Sequence, residues 1–260
     1  MTLQEIAAIL ADHARWLSGE GGKRASLDGA NLACANLVGA SLDGANLACA
    51  NLVGANLDGA NLACANLVGA NLDGANLDGA NLDGANLDGA SLDGANLARA
   101  SLVGANLARA SLARASLVGA SLYGASLVRA NLDGASLYGA SLYGASLARA
   151  SLVGASLYGA SLYGASLVRA NLDGASLVRA KINNNKTAIG ILRRATRSDG
   201  YEFFLWHCED GFYIKAGCRF FDMAEARQHW TATRAGTPLG DETQDILDVF
   251  EKAIERQVRS

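Results

Sequence analysis

The residues best equipped for chemistry stand in one run, His207, Cys208, Glu209 and Asp210, which brings a base, a thiol and two carboxylates together in sequence. Nucleophilic catalysis by such a set needs thiol and imidazole within hydrogen-bond reach. The run closes the segment GYEFFLWHC, which predicts a strand, and neighbours on a strand point to opposite faces. Cys208 and His207 are therefore expected not to meet. A second thiol, Cys218, lies a whole strand away, and one His beside two scattered Cys is not a zinc-ligand spacing. Both cysteines read as small core residues. The expectation is a protein that is not an enzyme, with no metal and no cofactor.

Binding chemistry is carried elsewhere, by residues spaced in multiples of twenty. Arg109, Arg129, Arg149 and Arg169 form one series, Tyr123, Tyr143 and Tyr163 a second, and Tyr138 and Tyr158 a third. Arg supplies charge for phosphates and Tyr a plane for stacking. Whether these side chains assemble depends on what a spacing of twenty means in the folded chain.

The answer lies in the element that carries them. From Ala25 to Ala180 every fifth residue is Ala, and a Leu follows each Ala by two places from Leu27 to Leu177, which makes 31 pentads; AKINN from Ala180 adds a degenerate one with Ile182 in the Leu place. A helix advances about 100° per residue, so leucines five apart would scatter around it. A flat strand alternates with period two, so an odd repeat would send them to opposite faces. A chain that bends once per pentad satisfies both Ala and Leu: Ala in, Asn or Ser out, Leu in, the next residue out, then a Gly corner that resets the phase. Four corners close a square of twenty residues. Coils stacked about 4.8 Å apart then give eight coils over residues 25–184.

The motif A(N/S)LxG resembles that of the pentapeptide-repeat family, A(D/N)LxX, across about 160 of the 260 residues. The resemblance implies an all-β solenoid, a right-handed quadrilateral β-helix. Family members vary at the central place and often use Phe, whereas here it is Leu in every register; such uniformity implies recent duplication or deliberate engineering. Some relatives imitate DNA in shape and charge and bind topoisomerases such as gyrase.

Residues twenty apart should then stand above one another, so the Arg and Tyr series become columns. Residues 25–94 hold eight Asp and no Lys or Arg, while 95–184 hold two Asp, seven Arg and one Lys. Two functional readings follow besides a plain solvated surface. The Arg and Tyr columns bind nucleic acid, or the Asp-bearing half mimics a phosphate backbone. Eight acids over roughly 20 Å are sparse beside the one charge per ~1.7 Å of duplex DNA. The copies of NLACANLVG at Asn31, Asn46 and Asn61 are offset by fifteen, so Cys34, Cys49 and Cys64 spiral around the coils. SLYGASLVRANLDG at Ser121 recurs at Ser161, two whole coils on, which keeps the Arg and Tyr columns aligned. The leading expectation is a non-catalytic scaffold or protein-interaction module, with Arg109, Arg129, Arg149, Arg169, Tyr123, Tyr143, Tyr163, Tyr138 and Tyr158 as its candidate surface; the alternative is a nucleic-acid-related regulator.

The ends differ from the repeat. TLQE at Thr2 to Glu5 has capping-box form and opens an amphipathic helix, residues 1–24 forming a cap whose Ile6, Ile9, Leu10 and Trp16 cover the first coil. Residues 185–260 read as an α+β capping module: strands KTAIGILRRA, GYEFFLWHC and FYIKAGCRFF, a turn at Glu209 to Gly211, a helix from Asp222 to about His229 and another from Asp241 to about Val258. The segment from Arg197 to Trp230, with the N-terminal helix, resembles modules flanking pentapeptide repeats in phage and prophage proteins. Five cysteines without an export signal fit reduced thiols, and no apolar run is long enough for a membrane span; the chain reads as soluble and cytoplasmic. Related proteins often dimerise through a C-terminal segment, which makes a homodimer one expectation.

Overall fold

The computed structural model describes residues 1–183, 186–217 and 219–259. They form two compact units, Met1–Ser176 and Leu177–Ser260.

The first unit opens with α1 (Leu3–Leu17), and Thr2 and Glu5 exchange both bonds of the capping box. Every pentad that follows solves the same accounting problem, since each of its five N–H groups needs an acceptor. In the pentad from Ala25, the chain turns through Leu27-Asp28-Gly29-Ala30, with the Ala30 N–H donating to the Leu27 carbonyl at 3.0 Å. Gly29 takes φ +61°, which this turn type demands at its third residue. The Leu27 N–H donates to Asn46 O at 2.7 Å, the Gly29 N–H to Ala48 O at 2.8 Å, and the Asn46 N–H returns to Ala25 O at 2.9 Å. Parallel bridges pair each Asn or Ser with the one twenty residues on, from Ser26↔Asn46 to Ser156↔Ser176. The fold is thus four-sided, twenty residues to the turn. Its interior is Leu and Ala, and Leu42 to Leu157 are wholly buried.

The fifth N–H, on the residue between Leu and Gly, has a donor's choice that the repeat motif conceals. Where Asn precedes Leu, its own Oδ1 accepts that N–H, as Asn31 does from Ala33 at 3.2 Å. Ser is too short for this. Where Ser replaces Asn and an Asp stands one turn below, the Asp takes over: Asp83 Oδ1 accepts the Val103 N–H at 2.9 Å and also the Ser101 hydroxyl. Asp73 does the same for Asp93 N–H and Ser91, Asp93 for Ala113 and Ser111, and Asp133 for Val153 and Ser151. These carboxylates are therefore part of the backbone bonding and not free surface charge.

On the inner side of α1 the residues differ from the expected set. Ile6 is buried and Ile9 and Leu10 are half-buried, but Trp16 is 42% exposed, and the inner place is taken by His13, which is wholly buried. Its Nδ1 accepts the Ala25 N–H at 3.1 Å, and its ring stacks on Trp16 at 5.3 Å. That bond requires Nδ1 to be unprotonated, while Nε2 makes no well-formed hydrogen bond among the described residues, the Asp43 backbone being the polar group that acts on the ring. Burial pushes the His13 pKa down, with Arg24 adding to the effect and Asp43 opposing it. The folded state therefore binds fewer protons than the unfolded chain. His13 contributes stability above its unfolded pKa of about 6.5, and that stability is lost as pH falls below it. Chemical denaturation of wild type and His13→Gln at pH 7.5 and 5.5 should show a larger loss in the wild type than in the variant, which keeps only the smaller loss from His229.

The second unit is an antiparallel meander, β1 (Lys181–Asn183), β2 (Lys186–Thr196), β3 (Glu202–Cys208), β4 (Gly211–Ala216) and β5 (Arg219–Phe221), in spatial order of sequence, with α2 (Met223–Arg234) and α3 (Pro238–Arg259). The segment expected as one third strand is two, β4 and β5, because Gly217 lies at φ +59° with the Tyr201 hydroxyl 2.7 Å from where a Cβ would stand. Asp222 and Glu225 form the expected capping box, but α2 continues past His229 to Arg234. The last helix begins at Pro238, before Asp241: Pro suits the first helical position, and Thr237 Oγ1 accepts the Gly240 N–H at 3.1 Å. Phe203, Leu205, Ile214, Trp230, Leu247 and Phe250 meet in one core. Arg227 ties α2 to α3 through Asp248 at 2.7 Å and Glu251 at 2.6 Å.

Candidate functional site

A side chain on the first unit finds its neighbours one turn above and below, so the outer surface is sorted by position modulo twenty. Tyr123 and Tyr143 stack with ring centroids 5.1 Å apart and planes 4° from parallel, and Tyr163 continues the stack at 4.9 Å. Tyr138 and Tyr158 form a second stack at 5.2 Å. Such contacts are each worth about 0.5–1.5 kcal/mol beyond area burial. Tyr123 and Tyr138, each first in its stack, are 52% exposed.

Arg109, Arg129, Arg149 and Arg169 stand at one corner, in the place that Gly holds in most pentads. That place has φ near +60° whatever residue fills it: Arg109 is at +60°, Arg129 at +62° and Arg149 at +61°. A side chain there is strained, because the left-handed region brings Cβ against the following carbonyl. Cys34, Cys49, Cys64, Arg99, Arg114 and Arg179 share the geometry. The corner also aims its side chain outward, and Arg109, Arg129 and Arg149 with Ala108, Val128 and Ala148 line a shallow, mainly apolar groove.

The column is not uniform in charge. Arg109 is bidentate to Asp88, Nε to Oδ1 at 2.9 Å, and Arg99 grips Asp78 in the same way. Each Arg holds its partner's carboxyl below the ordinary range, chiefly by hydrogen bonding. Asp73, Asp78, Asp83 and Asp88 therefore do not form a free acidic ring; the serines and arginines of the next turn engage all four. Arg129 and Arg149 have no carboxylate within ion-pair distance among the described residues. The three thiols of the repeat are exposed at three different corners, each Sγ lying beside the glycine one turn on, as Cys34 does with Gly54.

In the second unit, His207 and Cys208 lie on opposite faces of β3. The His207 ring stacks on Phe212 at 4.7 Å, while Cys208 is buried and its thiol is pushed up to about 12, first by burial and then by Asp210. A thiol so held is a poor nucleophile at neutral pH. Asp210 is occupied by Lys186, which also donates to Tyr213 at 2.6 Å. Cys218 lies outside the described residues. Among the described residues no group of three His, Cys, Asp or Glu is arranged to hold a metal ion.

Twenty-residue turns, a Leu and Ala interior and four bridged sides define a β-solenoid of pentads. The family model for pentapeptide repeats matches over residues 25–184 in overlapping segments with eight copies, and the chain belongs to the pentapeptide-repeat family, whose fold is a right-handed β-helix. Among solved structures it is similar to HetL, a pentapeptide-repeat protein involved in heterocyst differentiation regulation from the cyanobacterium Nostoc sp. strain PCC 7120, with 30% identity over 72% of this chain and 99% of that one, at a TM-score of 0.40. A pentapeptide-repeat protein from the cyanobacterium Cyanothece 51142 is 35% identical over 42% of this chain and 61% of its own, at 0.25. QnrB1, a plasmid-mediated fluoroquinolone resistance protein, is 20% identical over 62% and 86%, at 0.28. No curated protein matches the chain.

Proposed function

We propose that the protein is a non-catalytic scaffold whose solenoid, eight coils over residues 25–184, presents a protein-interaction surface on its later coils. The organisation we assign is a capping segment at 1–24, the repeat at 25–184 and an α+β module at 185–260. The observation that carries the reading is the exposed pair of tyrosine stacks, with Arg129 and Arg149 in no ion pair among the described residues. Aromatic rings and Arg are the residue types that dominate binding energy at protein interfaces. The described interior of the repeat is filled by buried Leu and Ala, so what the repeat recognises is expected to meet its outside. No helix of the described residues is long and apolar enough to cross a membrane, and we place the protein in the cytoplasm.

The competing reading, a regulator acting on nucleic acid, divides into two. Imitation of DNA by the acidic coils is weakened by the engagement of Asp73, Asp78, Asp83, Asp88 and Asp93 within the fold. Direct binding through the Arg column rests on the same Arg129 and Arg149 as the scaffold reading. A gel shift of labelled duplex and single-stranded DNA at low salt separates them. We expect no shift. A shift that weakens steeply with salt, and is abolished when Arg109, Arg129, Arg149 and Arg169 are changed to Ala, would replace the scaffold by a DNA binder.

A further inference from the structure

The second unit carries a cationic cleft that the repeat does not explain. It is lined by Arg197 and Asp199 at the end of β2, Tyr201, Arg219 at the start of β5, and His229 and Arg234 of α2. Arg197 is almost wholly buried, its guanidinium bonded to both oxygens of Asp199, at 3.0 and 2.6 Å, and to Thr243 Oγ1 at 3.0 Å. Asp199 also accepts the Tyr201 N–H at 3.0 Å, and its carboxyl is held down to about 2, with the Arg197 hydrogen bond the largest cause. The one carboxylate of the cleft is thus already committed.

The other two guanidiniums are not. Arg219 Nη1 lies 3.1 Å from Nδ1 and 2.9 Å from Nε2 of His229, close to both ring nitrogens at once; among the described residues neither Arg219 nor Arg234 has a carboxylate within ion-pair distance, although the Arg234 charge helps hold the Asp199 carboxyl down. Burial and the Arg219 charge keep the His229 pKa low, so the imidazole stays neutral beside the cation. The ring is itself fixed by stacking on Phe221 at 5.1 Å. The cleft therefore combines a preset Arg219, the Arg234 guanidinium, which is near Asp199 in charge but not ion-paired with it, and a buried Arg197 behind them. The C-terminal end of α2 opposes an anion weakly. Three guanidiniums against the single Asp199 carboxylate outweigh it, since Arg forks match the oxygens of phosphate in pairs.

We propose that this cleft binds a phosphomonoester, with Arg219 and Arg234 gripping the phosphoryl oxygens. Tyr201, half-buried in the lining of the cleft, offers a ring to whatever the phosphoryl group is attached to. The phosphoryl group is carried either by a small molecule such as a nucleotide or by a phosphorylated side chain, and the chemistry of the grip is the same for both. The site is independent of the repeat surface.

The test is titration calorimetry of the full chain at low salt with three probes: inorganic phosphate, adenosine monophosphate and a phosphoserine peptide. Saturable binding of at least one probe is expected, weakened by about tenfold or more in Arg219→Gln and in Arg234→Gln. Both residues are exposed, so the variants should keep the wild-type circular dichroism. Arg256→Gln, an exposed cation on α3 away from the cleft, should bind as wild type does. Tighter binding of the nucleotide identifies a small-molecule source, and tighter binding of the peptide a protein source. No saturable heat from any probe up to about 10 mM, or binding that survives in the Arg219→Gln/Arg234→Gln double variant, overturns the proposal.

Discussion

Deleting Ala110 alone should cost more than about 5 kcal/mol of unfolding free energy, whereas deleting the whole pentad Ala110–Arg114 should leave a cooperatively folding protein. The two deletions differ only in whether the period of five survives. Removal of one residue leaves a side of four, which cannot supply the bridge, the inward Leu and the four-residue turn together. The N–H groups of that side lose their acceptors, and Leu107 and Leu112 cannot both remain in the interior. Removal of five shifts everything downstream by one face of the square but returns Leu above Leu and Ala above Ala. What it does break is the column structure: Arg129 no longer stands over Arg109, and the Asp93–Ser111 bond disappears with Ser111. Urea denaturation of both variants measures the difference directly. Equal stability would mean that the pentad is not the folding unit.

Leu107→Ala should destabilise the protein by about 3–5 kcal/mol, the upper range for a buried Leu. Leu107 is wholly buried in a column whose neighbours above and below, Leu127 and Leu87, are fixed by the ladder 20 residues either way. The interior cannot close around the lost side chain without breaking Leu107 N–H to Ser126 O at 2.7 Å and the corresponding bonds of adjacent turns. Because coils contact mainly their neighbours, the loss should appear as lowered cooperativity as well as a lowered midpoint. An effect below about 1 kcal/mol, read from urea denaturation, would show that the interior repacks freely.

The repeat was legible in the sequence because one physical fact dominated it. A period of five suits neither helix nor flat strand, and the unbroken Leu27 to Leu177 series left a bend at each pentad as the solution. The columns followed by arithmetic, and the tyrosine stacks stand where that arithmetic put them. Less of the detail could be read. The corner was assigned to Gly for its conformational freedom, yet ten described corners hold Cys or Arg at the same positive φ, so the ladder imposes the conformation on residues that do not favour it. The Asp residues looked like surface charge because their role appears only when Asn and Ser are compared across two turns. His13 was hidden among the polar residues of α1, and its burial follows from the Ala25 N–H that needs an acceptor. The cleft of Arg197, Arg219 and Arg234 joins residues up to 37 positions apart, through a strand pairing that no local pattern announces.

Everything assigned to the repeat surface rests on side chains twenty residues apart being neighbours. Cysteine cross-linking tests this most directly, in a chain whose own five cysteines are changed to Ser. Across one turn the backbones should stand about 4.8 Å apart, within disulfide reach. Tyr123→Cys with Tyr143→Cys should therefore form an intramolecular disulfide under mild oxidation, and Tyr123→Cys with Tyr138→Cys, on different faces, should not. Cross-linking of the second pair in preference to the first would contradict the twenty-residue turn and the columns built on it.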